Sequence, residues 1–169
     1  MSTASLVVTT NSEAETVRLA TRLAEVLRDG DTVGLQGDLG VGKTVLAKAL
    51  AARLGVEEPV TSPTFGLVME YRRSEHSRLC HLDMYRLENA EQALAFGVEE
   101  CLFAPDAITL VEWPERIEPL LQPALRKGDE KLLYIIMEHG GGDRRRIVLP
   151  EHWAKRFAEF ACINQTGIY

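Results

Sequence analysis

The stretch that decides the fold runs Gly37-Asp38-Leu39-Gly40-Val41-Gly42-Lys43-Thr44, read GDLGVGKT. It matches the pattern G-x-x-x-x-G-K-[ST], in which the fixed residues are Gly37, Gly42, Lys43 and Thr44. A short apolar run from Thr32 to Gln36 precedes the loop, and Lys43 to Leu54 has the composition and apolar spacing of a helix. The order of strand, glycine loop and helix predicts an α/β fold built around this loop.

The residue types in the loop suit the binding of phosphate groups. Glycines at positions 37, 40 and 42 let the backbone adopt positive φ and turn its N–H groups inward, so Asp38, Leu39 and Val41 are candidate ligands through the same backbone. Lys43 can reach the β- and γ-phosphates, and Thr44 offers a hydroxyl to Mg²⁺. A glycine-rich tight turn with an exposed lysine is the weaker interpretation. The loop therefore predicts a site for a nucleoside triphosphate with magnesium.

A metal ion bound with phosphates usually takes a second acid from a strand next to the loop. Glu112 follows the apolar run AITLV (Ala107 to Val111), which reads as a buried strand, and so occupies the Walker-B position. Asp83 lies in the more polar stretch HLDMYR, where His81 could be a packing histidine. The residues alone favour Glu112 as a metal ligand and leave the role of Asp83 open.

The rest of the chain predicts one domain over residues 1–169, with its last residues as a loose tail. We expect a central, mostly parallel sheet with antiparallel additions, flanked by helices. Hydrophobic periodicity predicts the following elements: a strand at 6–9, a helix from Ser12 to Gly30, a hairpin of strands 65–71 and 78–83, a helix at 88–96, strands at 132–137 and 145–149, and a last helix from 150 to about 160.

Composition limits the class of protein. The chain has 169 residues, a formal net charge of -6 and three cysteines without a CxxC pair. This charge argues against a protein that binds nucleic acid by itself, because such proteins neutralise phosphates with a basic surface. The cysteines fit a reducing compartment, and no apolar stretch reaches the roughly 20 residues of a membrane span. We expect a cytoplasmic protein without a membrane partner, in which any RNA role would need a partner protein or a local basic patch.

Four motifs occur together in this order: GDLGVGKT, TSPTF at 61–65, HLDMYRL at 81–87 and LVEWPE at 110–115. This set resembles the bacterial TsaE family, formerly YjeE, over nearly the whole chain. The resemblance implies a P-loop ATPase needed for the threonylcarbamoyladenosine modification of tRNA. It also implies that the ATPase works in a complex with the subunits TsaD and TsaB, which accelerate a hydrolysis that is slow in the isolated chain.

The resemblance also implies roles for single residues. Thr44 and Glu112 would hold Mg²⁺, Lys43 would bind the phosphates, and Asp83 becomes a catalytic or water-orienting acid. Thr64, in the SPTF motif, would sense the γ-phosphate.

Three further positions carry weaker implications from the family. Trp113 would lie beside the nucleotide, although a core-edge aromatic is an equally good interpretation. Asn11 and Arg146 stand where the family contacts the base or ribose. Val45 departs from the family, because many members have a second threonine after GKT; an additional hydroxyl contact to phosphate is therefore not expected.

The alternative function is a P-loop small-molecule kinase. Such an enzyme would need an acceptor pocket and usually a mobile lid with several arginines, and the densest basic run here is only Arg144 to Arg146. A GTP switch is disfavoured because the chain has no NKxD-type guanine motif. A stimulating arginine is not evident from the sequence; Arg86 is the nearest candidate, and a salt bridge is the commoner role for such a residue.

Overall fold

The computed structural model describes residues 5–61 and 67–157. Its seven strands are β1 (Ser5–Thr10), β2 (Thr32–Gly37), β3 (Val68–Arg72), β4 (Arg78–Asp83), β5 (Ala107–Glu112), β6 (Leu132–His139) and β7 (Arg145–Pro150). The helices are α1 (Glu13–Ala24), α2 (Lys43–Arg53), α3 (Ala90–Ala95), α4 (Glu118–Lys127) and α5, for which residues 151–157 are described. Two short 3-10 helices cover Val98–Glu100 and Pro114–Ile117.

All strands join one sheet in the order β1-β7-β6-β2-β5-β4-β3. The four strands β6, β2, β5 and β4 are parallel to one another, whereas the outer pairs β1–β7, β7–β6 and β3–β4 are antiparallel. Every residue of β5 is buried, as expected for a strand covered on both faces. The prediction of a parallel centre with antiparallel additions is confirmed.

Two apolar clusters cover the two faces of the sheet. One contains the buried faces of α1 and α2 together with alternate strand residues such as Leu35 and Leu110. The other contains the next residue of β5, Val111, with Leu82 and with Leu121 of α4. Because side chains alternate along a strand, Leu110 and Glu112 point to the α2 side of the sheet. Cys80 and Cys101 are buried free thiols, as expected for packing cysteines.

The structure changes the bounds of α1. Ser12 caps it as predicted, and its hydroxyl accepts the N–H of Glu15 at 3.2 Å. However, the helix ends at Ala24 and not at Gly30. Val26 and Leu27 remain buried in the turn that follows, so the apolar spacing continued beyond the end of the helix. In this segment the spacing of apolar residues indicates which side chains are buried, but it does not indicate a helical backbone.

Helix α4 has no counterpart among the predicted elements. It contains Pro119 in its first turn and Pro123 in its interior. Because proline disfavours the interior of a helix, helix propensity does not predict a helix here. Its buried residues Leu121 and Ala124 hold it against the sheet, and Gly128 ends it in the left-handed region at φ 60°.

The predicted strand from 65 begins outside the described residues, and β3 starts at Val68. Within the described part of the chain, every helix is too short or too polar to cross a bilayer.

Candidate functional site

The glycine loop joins the end of β2 to the start of α2, where the predicted phosphate cradle lies. Gly42 is the N-cap of α2 at φ 110°, a conformation that favours glycine. At Gly37, whose φ is 153°, an added Cβ would lie 2.4 Å from the carbonyl oxygen of Met137. Glycine is therefore required here by a close backbone approach. The loop leaves the unpaired N–H groups of the α2 N-terminus available to an anion.

Lys43 is the first residue of α2, and its side chain folds back over the loop. Its Nζ donates to the carbonyl oxygens of Gly37 at 2.6 Å and Asp38 at 2.8 Å. The same Nζ lies 3.9 Å from the centre of the Trp113 ring, within the range of a cation–π contact. Burial lowers the pKa of Lys43 below its usual value, although nearby carboxylates, Glu112 first among them, oppose this shift. The ammonium is held at the loop by neutral carbonyls.

Glu112 is a buried carboxylate at the carboxyl end of β5. It is 2% exposed, and both of its oxygens have partners. Oε2 accepts the hydroxyl of Thr44 at 2.8 Å, and Oε1 lies 2.9 Å from Nε2 of His81. The parallel register sets Glu112 beside Leu35 of β2 and Asp83 of β4. Three strands thus bring the second acid to the threonine of the loop.

Asp83 stands next to Glu112 at the same edge of the sheet. Its Oδ1 accepts the N–H of Tyr85 at 3.1 Å. Burial raises the pKa of Asp83, and the negative charge of Glu112 adds to the shift, while the hydrogen bond from Tyr85 and the charge of Lys43 oppose it. An open cleft of about 340 Å³ runs between this edge and the loop, and its lining residues are Leu39, Gly40, Gly42, Lys43, Thr44, Val45, Asp83, Tyr85, Glu112 and Trp113.

Trp113 closes one side of the cleft. It adopts φ 61°, which is uncommon for a large residue, and it begins the short helix Pro114–Ile117. Its ring packs against Tyr85, with the ring centres 4.9 Å apart. Backbone strain of this kind is found where the surrounding structure holds a side chain in place. Here it sets the indole over the ammonium of Lys43.

The two residues predicted to contact the base or ribose of the nucleotide lie away from the cleft. Asn11 donates its side-chain amide to Glu15 at 3.2 Å, and Arg146 pairs with Glu138 at 2.5 Å across the β6–β7 ladder. Neither lines the cleft or the smaller pocket of about 140 Å³ on the other side of the loop. Their role at a nucleotide stays a prediction, and the prediction for Thr64 lies outside the described residues.

Two residues at the site were not predicted. Arg145 lines the smaller pocket, and its Nε donates to the carbonyl oxygen of Val41 at 2.8 Å. His81 is completely buried against Glu112. A sequence signal existed for His81, because it stands two residues before Asp83 and so faces the same side of β4. Arg145 lies in the basic run 144–146, and the sequence alone does not show that Arg145 contacts the loop while Arg146 pairs with Glu138.

Comparison with known proteins adds an independent observation. The family model described as "Threonylcarbamoyl adenosine biosynthesis protein TsaE" matches residues 10–147, which include the glycine loop and Glu112. The chain belongs to the TsaE family. The family predicted from the four motifs is thereby confirmed.

Similar TsaE proteins occur in distant bacteria. The TsaE of Treponema pallidum is 40% identical over 108 residues, which are 63% of this chain and 76% of that protein. The TsaE of Bacillus subtilis is 37% identical over 139 residues, 82% of this chain and 80% of the relative. The crystal structure of Bacillus subtilis YdiB superposes with a TM-score of 0.70 at 28% identity, covering 94% of this chain and 97% of that one.

The donor set at this TsaE-family site fits a magnesium nucleotide. Mg²⁺ prefers oxygen ligands, and the hydroxyl of Thr44 and the carboxylate of Glu112 are already in contact at 2.8 Å. Phosphate oxygens can take the place of the loop carbonyls as partners of Lys43, which is 3.9 Å from the Trp113 ring at the wall of the cleft. The helix start, the ammonium and the acid therefore converge on one open space.

Proposed function

We propose that the chain is a magnesium-dependent ATPase that serves the threonylcarbamoyladenosine modification of tRNA together with TsaD and TsaB. The observation that supports this most is the contact between Thr44 and Glu112, at 2.8 Å across 68 residues of sequence. It joins the last residue of the phosphate-loop motif to the acid in the Walker-B position. Membership of the TsaE family supports the pathway, and the partner subunits are those that the resemblance to this family implies.

The residues of the loop bind and orient the triphosphate. Backbone N–H groups at the start of α2 and the ammonium of Lys43 stabilise the charge that spreads over the phosphate oxygens during transfer. Burial lowers the pKa of Lys43 because it disfavours the charged ammonium. A bound phosphate would favour the charged form, since it gives the ammonium a negatively charged hydrogen-bond partner.

Thr44 and Glu112 would hold Mg²⁺ through a hydroxyl and a carboxylate. When bound there, the metal ion neutralises charge on the phosphates and helps to align them. Asp83 is the second acid in the cleft, half-buried beside Glu112, and orients the attacking water. Trp113 covers the Lys43 side of the cleft, which limits the access of bulk water to the ammonium.

The lining of the cleft supports the proposal that the isolated chain hydrolyses ATP slowly. Among the described residues that line it, Lys43 is the cation, and there is no arginine. In P-loop enzymes an arginine that stabilises the transition state raises turnover by about 10³ to 10⁵. We therefore propose that the TsaD–TsaB assembly completes the site or rearranges it.

The test is ATP hydrolysis by the purified chain, alone and with TsaD, TsaB and tRNA, with and without Mg²⁺. We expect slow magnesium-dependent release of phosphate that increases with the partners and is lost in Lys43→Ala and Glu112→Ala. The partner-independent transfer of phosphate to a small acceptor would instead establish the alternative, a P-loop kinase. The exposed substitution Lys48→Ala, on the same helix, is the matched control for Lys43.

A further inference from the structure

His81 is a buried polar residue whose only hydrogen-bond partner among the described residues is Glu112. Its side chain is 0% exposed, and its Nε2 lies 2.9 Å from Oε1 of the carboxylate. A polar group buried to this degree is costly unless it is paired. The pair spans two neighbouring parallel strands and is 31 residues apart in sequence.

The hydrogen-bond pattern determines which nitrogen carries the proton. A carboxylate oxygen only accepts, so Nε2 must donate to Glu112. Nδ1 is buried and has no partner among residues 5–61 and 67–157, and a bare nitrogen there costs less than an N–H that donates to nothing. His81 is therefore assigned as the neutral tautomer that has its hydrogen on Nε2.

His81 and Thr44 act on different oxygens of the same carboxylate. Thr44 donates to Oε2, on the side of the loop, and His81 donates to Oε1 from strand β4. Without His81, Oε1 would be buried with no donor from the described residues, and Thr44 alone would not prevent the carboxylate from rotating about its terminal bond. The histidine thus holds Glu112 in the orientation that presents Oε2 to the loop.

We propose that His81 is a positioning residue that orients Glu112 for a divalent cation, an inference that rests on the proposed magnesium nucleotide site. Partners that orient metal ligands in this way typically contribute 10- to 100-fold to metal affinity. His81 itself contacts neither metal nor nucleotide in this role. Its loss should weaken the binding of Mg²⁺ and leave the metal-free binding of the nucleotide nearly unchanged.

The experiment compares His81→Gln, His81→Asn and wild type in the full chain. Glutamine carries its amide nitrogen at the ε position and can donate to Oε1, whereas asparagine is one bond shorter. His76→Asn is the matched control, because His76 is exposed in the turn between β3 and β4. Thermal unfolding of each variant confirms that it is folded under the conditions of the binding assays.

Two binding measurements separate the roles. Calorimetry with ADP in EDTA gives the metal-free affinity, and Mn²⁺ titration followed by electron paramagnetic resonance gives the affinity of the nucleotide-bound protein for metal. We expect His81→Asn to weaken Mn²⁺ binding about 10- to 100-fold with ADP affinity in EDTA changed less than about threefold, and His81→Gln to recover most of the loss.

Equal Mn²⁺ affinity in wild type and both variants would overturn the proposal, as would an equal loss in His81→Gln and His81→Asn. A loss of ADP binding in EDTA that matches the loss of metal binding would also overturn it, because His81 would then support the whole loop. Failure of the proposed function looks different: wild type itself would then bind neither ADP nor Mn²⁺ with ADP.

Discussion

Among the described residues, two carboxylates are buried, and they lie at opposite ends of the parallel sheet. Each is near a tryptophan whose ring has a cation above it. At the cleft these are Glu112, Trp113 and Lys43, with Nζ 3.9 Å from the ring centre. At the other end, before β2, they are Asp31, Trp153 and Arg156, with the guanidinium carbon 4.3 Å from the ring centre. We call these the cleft site and the distal site.

The two sites differ in how the carboxylate is paired. Arg156 contacts Asp31 directly, at 3.0 Å, and the N–H of Arg28 donates to the same carboxylate at 2.8 Å. In the described part of the chain, Glu112 accepts hydrogen bonds only from a hydroxyl and a neutral imidazole, and Lys43 donates to loop carbonyls instead. A buried carboxylate with a fixed counter-ion is a structural ion pair, whereas one without a bonded cation beside an open cleft can accept a metal ion. Burial alone does not distinguish the two.

The largest expected effect is on activity at the cleft site. Lys43→Ala should lower ATP turnover by at least about 10²- to 10³-fold, because it removes a charged donor from the transferring phosphate. Arg156→Ala, at the distal site, should change turnover less than about twofold in folded protein. The measurement is kcat for phosphate release at saturating Mg²⁺–ATP. Similar losses in both variants would mean that the two sites do not differ as described.

The second effect is on stability at the distal site. Loss of one partner of a buried ion pair costs about 3–5 kcal/mol, and Arg156→Met, which leaves Asp31 buried without its counter-ion, should lower the free energy of unfolding by about 3 kcal/mol. The 22% exposure of Arg156 keeps the loss at the lower end. Urea denaturation measures it. The control is Lys155→Met on the same helix, whose pair with Glu151 is exposed and 3.8 Å long, and which should cost less than about 1 kcal/mol.

The third prediction uses the two tryptophans of the chain as separate reporters. In Trp153→Phe, the remaining Trp113 should change its emission on addition of ADP or ATP, because phosphate draws Lys43 away from the ring. In Trp113→Phe, the buried Trp153 should report unfolding by urea but show no change with nucleotide. Nucleotide-dependent emission from Trp153 would show that the distal site is coupled to the cleft.

The smallest effect is a pH dependence at the distal site. Burial raises the pKa of Asp31, and this outweighs the opposing hydrogen bonds from Arg28 and Arg156. A raised carboxyl pKa means that the folded state binds the proton more tightly than the unfolded state, so this group's contribution to stability falls as the pH rises.

Asp31→Asn removes that titration and keeps an oxygen for the N–H of Arg28. Relative to wild type, the variant should gain stability as pH rises from the unfolded value near 3.9 through the raised folded value, and the difference should then level off. Thermal unfolding between pH 3.5 and pH 7 measures the difference. A variant that loses stability relative to wild type as pH rises through this window would contradict the sign of the shift.

Contiguous segments could be predicted well from the sequence. Strand β2, the glycine loop and α2 follow one another along the chain, and each has a pattern of its own. Glu112 could be assigned because it directly follows the apolar run of β5. Helix α4 and the end of α1 could not be predicted. The prolines of α4 argue against a helix, and the apolar spacing of α1 continues into a buried turn that is not helical.

The residues that pair across the fold were harder to predict from the sequence. His81 had a sequence signal in its distance from Asp83, but its partner is on another strand. The pair of Arg156 and Asp31 joins positions 125 residues apart, and no local pattern connects them. Arg145 and Arg146 differ only in the face of β7 that each occupies, and the strand register decides which one contacts the loop.

By itself, the sequence determined the phosphate loop and the family, because the conformations of glycine and the side chains of Lys43 and Thr44 act within a few residues of one another. The tertiary structure alone decided how Glu112 is held. Its partners Thr44 and His81 lie 68 and 31 residues away, and the order of β2, β5 and β4 in the sheet brings them to the same carboxylate. Hydrogen bonds need contact within about 3 Å, and only the packed sheet brings these distant side chains so close.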